Sequence, residues 1–199
     1  MIVPLINLKY DPIEAVEYYT TLTNEHQSKK WMYTKDHNEP SVIDPKNKLD
    51  KMYGWGIQTI YKDIDFKYHC DLDPHNEGPV YFNDTVLAFG FVKRIMNLVK
   101  DPFRTFLFVY PSGNYLGPWF PTPPKHFRIY IPIISNPDAY LITHYNPGVR
   151  VPLVPGTIIL NTMDSLSELR NDGTTDLVHI EISSPYQYLD YMSNLIATV

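Results

Sequence analysis

FRIYIPIISNP, residues 127–137, lies in the middle of residues 106–182, the region around which the rest of the chain is arranged. It is one of several short β-branched and aromatic runs separated by Pro, Gly and Asn. Such regular spacing of short strands is typical of an antiparallel sandwich or barrel, and not of parallel βαβ units. We therefore expect a mainly β protein whose function lies in or around the barrel. The predicted strands are 105–110, 127–134, 139–145, 149–153, 157–161 and 177–182.

The length of the chain is that of one domain. The chain has 199 residues, and a domain usually contains about 100–200 residues. We predict a single domain, 1–199, with three parts along the chain. Residues 1–104 supply an amino-terminal arm, helices and a long loop, residues 105–183 supply the β core, and residues 184–199 supply a carboxy-terminal helix.

Charge and cysteine content argue against several partners and sites. A formal net charge of -5 gives no electrostatic reason to expect nucleic acid or an anionic membrane as a partner. Cys70 is the only cysteine, so the chain cannot form an internal disulfide or a thiolate zinc site. The sequence shows no signal peptide, and no apolar run reaches about 18 residues. We therefore predict a soluble protein made in the cytoplasm, with no membrane partner.

The amino-terminal residues predict a strand followed by a helix. Residues 1–10 alternate apolar side chains and form an edge strand or an extended arm. Asp11 then caps a helix that has Pro12 at its first position and runs to about His26. The expected packing face of this helix consists of Ile13, Val16, Tyr19 or Thr20, and Thr23.

A long polar loop is predicted at 27–56. Loops of that length are uncommon unless they bind something or pack on a partner. Trp55 lies in it between two glycines, either displayed as an interaction residue or buried as an anchor of the loop. The remaining predicted elements are a strand at 57–60, a second helix from Asn83 or Asp84 to about Lys100 and a short helix at 184–196.

Arg128 is the charged residue of the apolar run at 127–134, and its charge needs a partner. An unpaired guanidinium is costly to bury. We therefore expect Arg128 to face either an anionic ligand or a structural carboxylate.

Motifs on both sides of Arg128 follow a set order. They are Pro111-x-Gly113, the strand from Arg128 to Ile133, Asn136-Pro137, Pro155-Gly156, Asn161-Thr162, Asn171-x-Gly173 and Leu177 to Ile180. This order resembles the double-stranded β-helix of iron- and 2-oxoglutarate-dependent oxygenases, and is most similar to their aspartyl/asparaginyl β-hydroxylase group. The resemblance implies a cupin-like jelly roll with two or three flanking α-helices. It also implies that Arg128, with its neighbour Tyr130, lies at the 2-oxoglutarate site.

The positions that would hold iron depart from the family pattern. Residues 117–121 read Gly-Pro-Trp-Phe-Pro where the resemblance places the first iron-binding His, and residues 164–168 read Asp-Ser-Leu-Ser-Glu where it places the second. Asp176 lies near the place of a cosubstrate-binding Arg, and Tyr130 replaces a His. Ferrous iron in oxygenases needs a facial set of imidazole and carboxylate ligands. We therefore expect the protein to bind neither a metal nor the cosubstrate and to have no catalytic residues. An active enzyme is the alternative.

His69 and Asp71 form the alternative metal site, a His-x-Asp pair to which His144 or His179 would add a third ligand. With such a site the protein would be an active hydroxylase that uses Fe(II) and 2-oxoglutarate, the latter bound by Arg128. Against this, a lone His on a strand is more often a hydrogen-bonded structural residue than a ligand.

Trp119 and Phe120 lie in a proline-rich segment that would line the mouth of an oxygenase barrel. Aromatic side chains on a rigid segment lose little entropy on binding, which suits a protein contact. The same rings would equally suit a barrel that fills its own core.

Three interpretations follow from these patterns. The leading one is a catalytically degenerate oxygenase-like protein with protein partners or self-assembly. Relatives with the Arg-x-x-Ile-Pro-Ile strand are frequent in bacteriophage genomes, so the resemblance suggests a structural component that is assembled into a phage virion. The second is the active hydroxylase with relocated ligands. The third is a small-ligand-binding, cupin-like module, which requires an open cavity beside Arg128.

Overall fold

The computed structural model describes residues 2–27, 31–32, 52–59, 82–119, 126–144, 148–162, 166–195 and 197–198. The strands are β1 Ile2–Lys9, β2 Trp31–Met32, β3 Tyr53–Gly56, β4 Gln58–Thr59, β5 Asn83–Asp84, β6 Phe103–Tyr110, β7 Tyr115–Trp119, β8 His126–Ile134, β9 Ala139–Thr143, β10 Arg150–Pro152, β11 Thr157–Asn161, β12 Ser167–Asn171, β13 Leu177–Pro185 and β14 Ala197–Thr198. The α-helices are α1 Pro12–Glu25, α2 Gly90–Leu98 and α3 Leu189–Ser193.

The eight strands from β6 to β13 form a double-stranded β-helix. In the large sheet they lie in the order β11-β8-β13-β6, and in the small sheet in the order β10-β9-β12-β7. The chain crosses from one sheet to the other at most steps, which is the jelly-roll arrangement. Strands β1 and β14 extend one edge of the large sheet, and β3 and β2 extend the other. The predicted fold class, a mainly β jelly roll with two or three helices, is confirmed.

Both faces of the large sheet are buried. Side chains such as Leu107, Ile129 and Ile180 pack outward against the helices, while Phe108 and Tyr130 pack inward against the small sheet. Strands covered on both faces read as continuous apolar runs instead of alternating ones. For this reason β6 and β13 are apolar along most of their length.

Helix α1 begins and ends where the sequence predicts, but it packs on a different face. Asp11 accepts a hydrogen bond from the backbone N–H of Ile13 at 2.9 Å, and Pro12 is the first helical residue. The buried residues are Ala15, Tyr18 and Leu22, whereas Ile13 is 69% exposed and Val16 is 39% exposed. The predicted face was therefore wrong. The hydroxyl of Tyr18 donates to the carbonyl of Leu87 at 2.7 Å, which fixes the helix in this rotation.

Helices α2 and α3 are shorter than predicted. Asn83 and Asp84 do not cap α2, because they pair as β5 with Gln58 and Thr59 of β4. The chain then turns, and α2 begins at Gly90, where φ is +55°. At the carboxy-terminal end, β13 continues through Pro185, followed by a 3-10 turn before α3. No helix in the described ranges is long and apolar enough to span a bilayer.

Two strands of the small sheet were missed in the sequence. Strand β7 contains Gly117 and Pro118, which are read as turn residues. Strand β12 reads Ser-Glu-Leu-Arg-Asn, with Leu169 as its only apolar side chain. Its alternate residues Glu168 and Arg170 belong to a charged network on the outer face of the small sheet. A strand with one apolar residue gives too weak a periodic signal to be recognised.

Three turns are held together at one end of the barrel. Nδ2 of Asn136 donates to Oδ1 of Asn171 at 2.8 Å, and Nδ2 of Asn171 donates to the carbonyl of Tyr110 at 2.8 Å. The hydroxyl of Ser112 donates to the carbonyl of Gly173 at 2.6 Å. The motif residues Asn136, Asn171 and Gly173 therefore close the barrel through hydrogen bonds between turns that are far apart in sequence.

Replacing Gly173 by Ala should destabilise the fold. A methyl group at this position would lie 2.0 Å from Oδ1 of Asn136, so the asparagine would have to move out of its hydrogen bonds. We expect a loss of about 1–3 kcal/mol in the free energy of unfolding, measured by urea denaturation. Gly56→Ala is the matched control, because its methyl group would meet ordinary contacts from 3.5 Å. Equal losses in the two variants would contradict the explanation.

Candidate functional site in the barrel interior

Strands β8 and β13 place the candidate residues inside the barrel. Along β8, Arg128 and Tyr130 point to the interior, since alternate residues of a strand share a face. Along β13, His179 and Glu181 do the same. The strands pair with Glu181 opposite Tyr130 and with Ser183 opposite Arg128. The register therefore brings four polar side chains together in an otherwise apolar space.

Arg128 is paired with the carboxylate of Glu181. Nη1 of Arg128 lies 3.3 Å from Oε1 of Glu181, with side chains that are 15% and 10% exposed. The two residues are diagonal neighbours across the strand pair, a separation that long side chains can span. Of the two partners considered for Arg128, the described residues supply the structural carboxylate. Glu181 was not singled out from the sequence, although a lone acid in an apolar strand is the same signal that identified Arg128.

Tyr130 lies fully buried beside this ion pair. Burial and then the charge of Glu181 raise the pKa of the Tyr130 hydroxyl above its usual value, while Arg128 and Asn161 act in the opposite direction. Nδ2 of Asn161, on β11, donates to the hydroxyl of Ser167 on β12 at 3.2 Å. Tyr130 is thus a neutral phenol within a polar cluster that joins the two sheets.

His179 is enclosed by aromatic rings. Its ring stacks on Tyr110 with centroids 5.3 Å apart and lies 5.7 Å from Phe108 and 5.6 Å from Tyr130. Neither ring nitrogen has a hydrogen-bond partner in the described part of the chain. Burial lowers the pKa of His179 to about 3, so the imidazole is neutral. The hydrogen bonds expected for His179 are absent among the described residues, because none of their polar atoms lies within hydrogen-bonding distance of either ring nitrogen.

His144 lies at the end of β9 and bonds to a carboxylate of the small sheet. Its Nε2 is 3.0 Å from Oε2 of Glu168, and Nε of Arg170 donates to Oε1 of Glu168 at 2.6 Å. The interpretation of His144 as a hydrogen-bonded residue is therefore confirmed. Glu168 faces the outside of the sheet, so this cluster is separate from the barrel interior.

The two segments expected to hold iron meet in the fold. Trp119 on β7 pairs directly with Ser167 on β12, so the positions inferred from the resemblance are neighbours at one end of the barrel. Residue 119 is Trp and residue 167 is Ser, so neither position supplies an imidazole. Among the residues that the structure describes, no group of three His, Cys, Asp or Glu side chains is arranged to hold a metal ion. The donor set in this part of the chain does not fit Fe(II).

The remaining residues that were selected from the sequence lie elsewhere in the fold or outside the described residues. Trp55 is fully buried in β3, and its Nε1 donates to the carbonyl of His26 at 3.0 Å. These contacts are those of an anchor, so the interpretation of Trp55 as a displayed interaction residue was wrong. Asp176 is exposed just before β13. His69, Asp71 and Phe120 lie outside the described residues.

Comparisons with known proteins give distant similarity. No family model matches the sequence, and the search of curated proteins finds no match. A 2OG-Fe(II) oxygenase family oxidoreductase from Burkholderia pseudomallei is similar at 11% identity and a TM-score of 0.46, over 66% of this chain and 65% of that one. A Pseudomonas putida prolyl-4-hydroxylase gives 11% identity, a TM-score of 0.36 and coverages of 47% and 56%. A cupin 2 conserved barrel domain protein from Salinispora arenicola is similar at 15% identity and a TM-score of 0.33, over 45% of this chain and 68% of that one.

Removing one partner of the Arg128–Glu181 pair should cost more than removing both. Arg128→Met leaves the Glu181 carboxylate buried without its cation, and we expect a loss of about 3–5 kcal/mol in the free energy of unfolding. In the double variant Arg128→Met/Glu181→Leu most of that loss should be recovered. Urea denaturation of the wild type, the two single variants and the double variant measures the coupling.

The control for that cycle is an ion pair at the surface. Lys93 binds Asp84 with side chains that are 43% and 35% exposed. Lys93→Met should therefore cost only about 0–1 kcal/mol. Additive effects of the two core substitutions would contradict a coupled pair.

The buried imidazole of His179 should make stability depend on pH. Its pKa is about 3 in the folded chain and about 6.5 in the unfolded chain. The unfolded state therefore binds the proton first, and stability is lost as pH falls below about 6.5. Lowering the pH from 7.5 to 5 should reduce the free energy of unfolding by about 2 kcal/mol through His179. Urea denaturation across that pH range should show a smaller loss of stability in His179→Leu than in the wild type. Identical pH profiles of the two proteins would contradict a neutral buried His179.

Proposed function

We propose that this protein is a catalytically degenerate, oxygenase-like jelly roll that acts as a structural or protein-binding component. The proposal depends on one observation, the pairing of Trp119 with Ser167 at the positions where the resemblance expects iron-binding histidines. Neither side chain is an iron ligand of the kind that oxygenases use. A barrel that lacks these ligands has no means of activating oxygen there.

The contents of the barrel support the same proposal. Arg128, which the resemblance assigns to 2-oxoglutarate, is engaged by Glu181. Phe106, Phe108 and Tyr110 fill the adjacent interior with buried rings. In this proposal the polar residues of the barrel stabilise the scaffold, and binding takes place on its surface.

The edge of the small sheet provides a surface for a protein contact. Among the described residues, β7 is the last strand of that sheet, and an edge strand offers unpaired backbone groups to another chain. We propose that Trp119 and the following Phe120 belong to this contact, with a second copy or another protein as the partner. A phage particle is the setting that the family resemblance suggests.

The alternative is an active hydroxylase that uses Fe(II) and 2-oxoglutarate, with ligands from His69, Asp71 and His179. The observation that favours it is the imidazole of His179, whose two nitrogens have no hydrogen-bond partner within the described ranges. Against it, the rings of Phe108, Tyr110 and Tyr130 surround that imidazole and contain neither of the imidazole and carboxylate ligands that oxygenases use.

Calorimetric titration with metal and 2-oxoglutarate tests the proposal. Purified protein is titrated with manganese(II), a redox-silent substitute for iron, and then with 2-oxoglutarate in the presence and absence of the metal. We expect no stoichiometric metal binding and no effect of the metal on any 2-oxoglutarate affinity. Stoichiometric binding that is lost in His69→Ala or His179→Ala, but kept in His144→Ala, would overturn the proposal and establish the alternative.

Light scattering over a range of protein concentrations tests the contact at β7. If copies associate through this edge, Trp119→Ala/Phe120→Ala should shift the population toward monomer. Tyr191→Ala is the control, because Tyr191 is an exposed aromatic residue elsewhere on the chain. Association that survives the double substitution would exclude this edge as the contact between copies.

A further inference from the structure

Helix α1 carries a second apolar stripe on the side that faces away from the core. This outer stripe consists of Ile13, Val16, Thr20 and Thr23, which are three or four residues apart and therefore share one face of the helix. Ile13 is 69% exposed and Val16 is 39% exposed. A surface helix usually has one apolar stripe, turned to the core, and a polar face opposite. Helix α1 departs from that pattern, so its outer stripe needs an explanation.

The threonines of the outer stripe use their hydroxyl groups within the helix. The hydroxyl of Thr20 donates to the carbonyl of Val16 at 2.8 Å, and that of Thr23 donates to the carbonyl of Thr20 at 2.9 Å. Threonine in a helix commonly bonds back to a preceding carbonyl in this way. An apolar surface placed over the stripe would therefore leave neither hydroxyl without an acceptor.

The turn before β11 lies against the start of this helix. A methyl group on Gly156 would be 3.2 Å from Cγ of Pro12. Val154, two residues earlier in the turn, is 48% exposed. Exposed apolar side chains are thus present on both elements that meet at this end of the outer stripe, which is more than a singly scattered surface residue.

Helix α1 is also acidic. Residues 11–27 contain four carboxylates, Asp11, Glu14, Glu17 and Glu25, and neither Lys nor Arg. Among the described residues, Glu14 is the one of the four that forms an ion pair, with Arg94 of α2. Lys93, the neighbouring cation of α2, binds Asp84. The outer stripe is therefore flanked by negative charge, with Glu17 directly next to Val16 in the chain.

Contacts on its other faces hold α1 in a fixed position. Asp11 caps its first turn, the hydroxyl of Tyr18 bonds to the carbonyl of Leu87, and Glu14 binds Arg94. A surface that is already ordered loses little conformational entropy when a partner binds. The outer stripe is thus presented on a rigid element.

We propose that the outer stripe of α1 binds a basic amphipathic helix of another protein. The apolar face of that helix would cover Ile13 and Val16, and its Lys or Arg side chains would meet Glu17 and the other carboxylates. Docking of an amphipathic helix on an apolar surface is a recurring mode of recognition. A second copy of α1 would instead bring carboxylates against carboxylates, and like charges oppose association. The contact rests on the protein-binding role proposed above, and specifies the chemistry of one partner.

Fluorescence anisotropy with a labelled model peptide tests this contact. The probe is an amphipathic peptide of leucine and lysine with about 18 residues, roughly five helical turns. In the matched peptide glutamate replaces each lysine. We expect the lysine peptide to bind the wild type at least about tenfold more tightly than the glutamate peptide. The difference should shrink as salt is added, because surface charges are screened.

Substitutions on and away from α1 define the expected pattern. Ile13→Ser/Val16→Ser should weaken binding of the lysine peptide by about tenfold or more, because two apolar groups leave the contact. Glu17→Gln should cause a smaller loss and a weaker dependence on salt. The controls Val149→Ser and Asp138→Asn change side chains near the small sheet that are 50% and 63% exposed. Both should bind the lysine peptide as the wild type does.

Three results would overturn the proposal. They are equal affinities of the wild type for the two peptides, wild-type affinity in Ile13→Ser/Val16→Ser, and self-association of the wild type that this double variant abolishes. The last, measured by light scattering without peptide, would assign the outer stripe to a second copy. Unchanged urea midpoints of the variants show that a loss of binding is not a loss of folding. The assay contains neither metal nor cosubstrate, so its failure leaves the calorimetric test of the proposed function unaffected.

Discussion

The pairing of β8 with β13 determines which side chains enter the barrel. These two nine-residue strands lie at the centre of the large sheet and are buried on both faces. One residue of slippage would exchange every inward side chain for an outward one. Their register therefore fixes which residues meet the helices and which enter the barrel. The ion pair, the buried phenol and the enclosed imidazole all follow from it.

The same register explains why so apolar a barrel tolerates charge. Arg128 and Glu181 lie on adjacent strands with one diagonal step between them, so neither charge is left alone. The carboxylate of Glu181 thus compensates the charge of the buried arginine from within the scaffold.

Much of the fold could be predicted from the sequence because most strands of the barrel have a recognisable sequence pattern. Apolar runs with Pro, Gly and Asn between them identified β6, β8, β9, β10, β11 and β13, with ends that differ by a few residues. The failures have physical causes. In α1, two stripes of apolar residues were available, and only the contact of Tyr18 with Leu87 decides between them.

The candidate site was predictable in its chemistry but not in its partners. Arg128 in an apolar strand predicted an anionic partner, and the carboxylate of Glu181 is that partner. Its identity depends on strand pairing between residues 53 positions apart, which no local pattern reveals. The environment of His179 was misjudged for a related reason. Phe108, Tyr110 and Tyr130 come from two other strands, and only the closed barrel makes them its neighbours.

Strand β1 has a consequence for the order in which the barrel is completed. Ile2 pairs with Asn161 of β11, so the ribosome must add about 160 residues before β1 can find its place. At roughly 5–20 residues per second this takes about 8–32 s. During that time an apolar strand leaves the exit tunnel with no sheet to join. Nascent chains of this protein therefore carry β1 without its partner strand until β11 has been synthesised.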